Sequence, residues 1–184
     1  MSQCTIFARA KNTNMKAAIT LIATLLLSMN VFGWGATGHR AIGEIAERHL
    51  SDKARAAIMK LLGNESLANT STFMDEVKSD KAYKEYYNWH FVTIPDGSTY
   101  EESEKSKKGD VIAAIEKLTA DLKGGKLTDE EKVFAIKALV HFVGDVHQPL
   151  HVGKPGDRGG NDETCLWHHE PTNIHRVWDS DMIN

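Results

Sequence analysis

Between Phe134 and Asp179 the chain gathers His141, Asp145, His151, His175 and Asp179, in the runs HFVGDVHQPLH and NIHRVWD with DRGGND between them. His141 and Asp145 are four residues apart, and so are His175 and Asp179. On a helix each pair shares one face. Imidazole and carboxylate together are the donor set that zinc and similar borderline cations take. Two such pairs and a linking histidine exceed what one ion needs, so the spacing points to a hydrolytic site with several metals. A single His-x-x-x-Asp would read equally well as a buried hydrogen-bonded pair. Further candidates shift that balance: Asp75 in FMDEVK, His90 in NWHFV, and the run WGATGH from Trp34 to His39.

These residues need helices to carry them. Residues 38–50 place Ile42, Ile45, Ala46 and Leu50 on one stripe, and 51–62 repeat it with Ala54, Ile58, Leu61 and Leu62 before Gly63. A third helix is expected over about 70–79, with Phe73, Met74 and Val77 inward. Pro95-Asp96-Gly97 marks a turn, 98–108 a charged loop, and 109–122 a helix burying Val111, Ile112, Ile115, Leu118 and Leu122. Gly124-Gly125 ends that helix. Thr128 and Glu131 form a capping box for the next one, whose expected stripe is Val133, Ile136, Leu139, Val140 and Val143 and whose limit is Pro149. Residues 152–171 read as a long loop, and 172–181 as a last helix-like piece. With no alternating strand pattern, the expected fold class is all-α, a single domain of packed helices.

Composition narrows the function. The 184 residues suit one domain with a real core. Met15-Lys16 opens the apolar stretch AAITLIATLLLSMNVFG, the layout of a secretory signal cut after Gly33, with an apolar run short of a membrane span. The expected organisation is therefore 1–33 removed and 34–184 as the mature domain, secreted or periplasmic and free of the membrane. Residues 1–33 hold Arg9, Lys11 and Lys16 and no acid, so 22 basic residues become 19 against 25 acidic ones, a formal net of −6. That sign excludes the basic footprint of a duplex-binding regulator. Bound cations would have to meet any phosphate. Cys4 leaves with the leader and Cys165 stands alone, so the mature chain has no internal disulfide.

WGATGH, DEVK, WHF, HFVGDVHQPLH, DRGGND and NIHRVWDS, in this order from Trp34 onward, resemble the zinc-dependent nucleases typified by the fungal S-one and P-one nucleases. The resemblance implies a helical fold around a cleft with three zinc ions. Asp75, His90, His141 and Asp145 would hold one. The α-amine and carbonyl of Trp34, His39 and a bridging Asp145 would hold a second. His151, His175 and Asp179 would hold the third. Asp75 would orient the attacking water, Lys78 and Asn161 would face the scissile phosphate, and Phe91 would stack a base. The activity implied is endonucleolytic hydrolysis of single-stranded DNA and RNA to 5′-phosphorylated products, with 3′-nucleotidase activity beside it and no stable protein partner. Family members continue past the last ligand, whereas this chain stops five residues after Asp179, which is read as C-terminal truncation.

Two other readings compete. A zinc-dependent phospholipase C shares the ligand layout and also begins with a metal-binding Trp. An inactive zinc-binding fragment would need only the ligands. The remaining candidates are read as structural: His49 and His147 off the ligand rungs, His168 and His169 in the loop, and Trp89, Trp167 and Trp178 as core or site-wall aromatics. Asn64 and Asn69 open sequons that matter only in a glycosylating host.

Overall fold

Local signals set the helix ends. In the computed structural model, which describes residues 35–183, α1 (Ala36–Arg48) is followed by α2 (Asp52–Leu62), whose N-cap Ser51 accepts from the amide of Ala54. Gly63 stops α2 at φ 66°, as expected. The expected helix over 70–79 is instead two short turns, α3 (Leu67–Thr70) and α4 (Phe73–Glu76). The reason is a run of hydroxyls. Thr70, Ser71 and Thr72 each bond back to the carbonyl three residues earlier, Leu67, Ala68 and Asn69, and so compete with the helix ladder. The aromatic stretch Lys81–His90 winds as a 3-10 helix and leads into the two-residue strand β1 (Val92–Thr93).

α5 (Val111–Gly124) starts on Asp110, whose carboxylate caps the amides of Ile112 and Ala113, and it ends at Gly125 in the left-handed region. α6 (Asp129–His147) begins with the expected capping box of Thr128 and Glu131 and closes at Gln148, just before Pro149. Its buried face differs from the expected stripe. Ala135, Ala138, His141, Phe142 and Asp145 are buried, whereas Val133, Ile136, Leu139 and Val143 are only partly so. The small residues Ala114, Ala135 and Ala138 sit in the core beside Met74, Val92, Val111, Leu118 and Phe142. Alanines at a helix contact let backbones approach closely, and the larger β-branched residues then fall to the flanks.

A short 3-10 turn, Pro149–His151, leads into β2 (Val152–Gly153), which pairs in parallel with β1, Val92 opposite Val152. The expected 152–171 loop contains a hairpin, β3 (Thr164–Trp167) against β4 (Glu170–Asn173). Its turn residues His168 and His169 take φ of 48° and 71°. Such turns usually advertise themselves as Asn-Gly or Asp-Gly, so His-His concealed the hairpin. The chain then forms α7 (Ile174–Arg176) and a π turn over Val177–Asp181. One residue of an expected apolar stripe faces out, Ile45 at 54% exposed, and Trp178, read as a core or site-wall aromatic, is 42% exposed and so outside the core. The described residues are mostly helical, and no helix among them is long and apolar enough to cross a membrane.

Candidate metal centre

α6 carries the hub. Its Asp145 is fully buried, and four imidazoles crowd the carboxylate. Asp145 Oδ2 lies 3.0 Å from His90 Nδ1 and 3.1 Å from His141 Nε2. Asp145 Oδ1 lies 2.9 Å from His151 Nδ1 and 3.5 Å from His39 Nε2. Asp75 closes the other side, with Oδ1 3.9 Å from both His90 Nδ1 and His141 Nε2 and Oδ2 3.8 Å from His39 Nε2. The second rung, His175 and Asp179, meets at 2.9 Å, and His151 Nε2 reaches Asp179 Oδ1 at 3.6 Å. Three groups result, each with donor atoms within 4.8 Å of one another: His39, His141 and Asp145; Asp75, His90 and His141; His151, His175 and Asp179.

Each ring has a local reason for its place. His39, from α1, stacks on His141 with centroids 3.9 Å apart and planes 11° apart. Gly144 makes the room, since a Cβ there would lie 2.6 Å from His39 Nδ1. His141 Nδ1 donates to the Ser71 carbonyl at 2.7 Å, a group presented by the hydroxyl-broken segment between α3 and α4. That donation turns His141 Nε2 toward Asp145 and His90, the arrangement that orients a ligating imidazole. His175 Nδ1 donates likewise to the Gly159 carbonyl at 2.7 Å, in a loop where Gly159 holds φ 64°. The β1–β2 bridge brings the two chains together just past His90 and His151.

Burial and charge pull against each other here. Burial pushes His39 down to about 3, with help from neighbouring His141, so its imidazole is neutral. Burial also lowers His90, outweighing its bond to Asp145. Burial alone would raise Asp145, but His141 and His151 hold it well below the usual carboxylate range. Burial likewise opposes charge on His141 and His175, yet their Asp145 and Asp179 partners raise both.

Among the described residues, both ring nitrogens of His39 and Asp75 Oδ1 are buried without a hydrogen bond, while Asp145 Oδ1, His151 Nδ1 and Asp179 Oδ2 have only imidazole–carboxylate contacts, at 2.9 Å for His151–Asp145 and for His175–Asp179. Each such orphan costs roughly 1–3 kcal/mol. Nitrogen and carboxylate donors held this way fit divalent cations, which would satisfy them together.

The other expected site residues sit around this cluster. Lys78 Nζ is 3.5 Å from Asp75 Oδ1. Phe91, directly after His90, is 40% exposed. Asn161 is exposed and donates its side-chain amide to the Arg158 carbonyl at 3.0 Å, so it points along its own loop. Trp34 lies outside the described residues, but Gly35 beside it is buried and donates to the Asp179 carbonyl at 2.6 Å. His147 is exposed and bonds the Val143 carbonyl, and His49, His168 and His169 are exposed. Sequence reasoning missed Gln148. It is buried, donates to Asp179 Oδ1, and accepts from the Leu150 amide at 2.5 Å. The signal was a polar residue between a helix end and a proline.

The family model described as S1/P1 Nuclease matches residues 34–184. Endonuclease 4 of Arabidopsis thaliana is 34% identical over 181 residues, covering 90% of this chain and 60% of its own length. Nuclease S1 of Aspergillus oryzae is 32% identical over 87% of this chain and 58% of its own, and Nuclease P1 of Penicillium citrinum 30% over 81% and 58%. The chain thus spans about 60% of the length of the curated relatives it matches. With the family model covering all the residues that build this centre, the chain belongs to the S1/P1 nuclease family.

Proposed function

We propose that residues 34–184 are the metal-binding part of a secreted or periplasmic zinc-dependent endonuclease. Its substrates are single-stranded DNA and RNA, its products carry 5′-phosphates, and it acts on 3′-nucleotides as well. The observation that carries the reading is the gathering of His39, His90, His141 and His151 about Asp145, with Asp75 opposite and the His175–Asp179 rung alongside. Three zinc ions suit these donors: one on Asp75, His90, His141 and Asp145, one on Trp34, His39 and Asp145, and one on His151, His175 and Asp179. Bound zinc in such a centre lowers the pKa of water and neutralises phosphate charge.

The chain's own groups do the rest. Asp75, whose Oδ1 has Lys78 Nζ 3.5 Å away, would orient the attacking water along the phosphorus–oxygen axis. Lys78 sits beside it and offers positive charge to the equatorial phosphate oxygens. Asn161 would release the Arg158 carbonyl to donate to the same oxygens. Phe91 gives an exposed ring on which a base stacks. The likeness to Nuclease S1 and Nuclease P1 supports nucleic acid over lipid as substrate. The apolar stretch after Lys16 supports export.

Zinc-loaded protein should cleave single-stranded DNA, stop when chelator is added, and leave phosphatidylcholine intact. Hydrolysis of the lipid with the DNA untouched would overturn the reading in favour of a phospholipase C. Turnover of neither would leave a zinc-binding chain without activity.

A further inference from the structure

Tyr87 lies on the 3-10 helix, four residues before its extended C-cap Phe91, and is 52% exposed. Its ring meets Phe91 edge to face, with centroids 6.4 Å apart and planes 83° apart. Lys78 Nζ stands 5.7 Å from the Tyr87 centroid while reaching Asp75 at the metal centre. One lysine therefore joins this aromatic pair to the candidate catalytic carboxylate. Phe91 directly follows His90 of one candidate metal group, and Lys78 beside Tyr87 reaches Asp75 of the same group.

We propose that Tyr87 is a second nucleobase platform, taking the base next to the one on Phe91. This inference rests on the nuclease reading. Residues 34–184 carry a formal net of −6, which gives a polyanion little general attraction, so stacking would add to the affinity that cations supply. The angle between the rings also has a consequence. Neighbouring bases in a duplex are parallel, whereas rings at 83° accept two bases only if these are splayed apart. The pair thus admits a flexible single strand and rejects a stacked one, and it does so without reading base identity, since every base has a π face.

The test uses zinc-loaded protein and Tyr87→Ala, Tyr87→Phe and Tyr87→Trp. Binding of a fluorescein-labelled phosphorothioate deca-thymidylate, which resists hydrolysis, to the zinc-loaded protein is followed by anisotropy, and cleavage of the ordinary oligonucleotide is followed alongside. Tyr87→Ala should weaken binding and raise KM by roughly 5- to 100-fold with kcat within about twofold. The Phe and Trp variants should restore both. Replacing single thymidines by abasic sugars should find one position where wild type loses the same factor and Tyr87→Ala loses nothing more. Unchanged binding in Tyr87→Ala overturns the proposal. A fall in kcat at constant KM also overturns it, making Tyr87 a prop for Lys78. If wild type binds the oligonucleotide but never cleaves it, the nuclease reading fails while the platform stands. If wild type does not bind it, both fail.

Discussion

The backbone amide of Gly35 donates to the carbonyl of Asp179 at 2.6 Å, so the residue after Trp34 is fastened to the residue at the far end of the metal cluster. Gly35 is buried, and α1 starts directly after it to deliver His39. The proposed second zinc would take the α-amine of Trp34 together with His39 and Asp145. The amine's ordinary pKa of about 7.7–8.0 requires loss of a proton before it can ligate, which a bound cation drives.

This geometry makes the length of the N-terminus testable. Protein beginning at Trp34 should hold close to three zinc ions per chain, and protein with an added Gly-Ser close to two. Cleavage of single-stranded DNA should fall by about 10²-fold or more in the extended form, while its circular dichroism stays the same. Metal analysis and rates on the paired proteins decide this. Equal zinc and equal rates would mean that Trp34 only packs.

Asp145 should outrank every neighbour in a substitution series, because His39, His90, His141 and His151 all meet its carboxylate. Lys78→Ala removes one charge from the transition state and should cost about 10²–10³-fold in kcat. Asp145→Asn should cost more and should also lower the zinc content, which Lys78→Ala should not. Comparable rates and metal contents for the two would contradict the hub role.

Gln148 offers a subtler check. Its Oε1 is occupied by the Leu150 amide, which fixes its Nε2 on Asp179 Oδ1 and leaves Asp179 Oδ2 toward His175. Gln148→Leu should let the Asp179 carboxylate rotate, and weaken zinc at the His151, His175 and Asp179 group by roughly 10–100-fold. Chelator competition should show one weakened ion with the others unmoved. Three unaltered affinities would reduce Gln148 to packing.

The neutral His39 predicts a pH effect on metal-free protein. Its folded pKa near 3 lies below its ordinary 6.5. Between those values the unfolded chain binds a proton that the folded chain refuses, so stability is fully present above pH 6.5 and falls as the pH drops toward 3. The slope from this group is at most about 1.4 kcal/mol per pH unit. Urea unfolding at several pH values should show the gap between wild type and His39→Gln shrinking from pH 6.5 down to 4. A gap independent of pH would mean that His39 titrates normally.

Some of this protein was settled by local chemistry and could be read directly. A capping box at Thr128 and Glu131 acts within one turn, and so does the left-handed stop at Gly63. The four-residue spacings of His141–Asp145 and His175–Asp179 fix shared faces wherever the backbone coils, and both rungs close at about 3 Å. Other features depended on partners far along the chain. Which face of α6 turned inward was decided by how closely α5 could approach, and Ala135 and Ala138 allow that where Ile136 and Leu139 do not. Periodicity alone favoured the larger side chains. The breaking of the 70–79 helix followed from three hydroxyls competing for backbone carbonyls, and only the fold shows that the freed Ser71 carbonyl orients His141. Gathering His39, Asp75, His90 and His151 onto Asp145 spans more than a hundred residues of sequence separation. Spacing marked the two His–Asp rungs as candidates, but only packing around an α6 narrowed at Gly144 could set four imidazoles against one carboxylate.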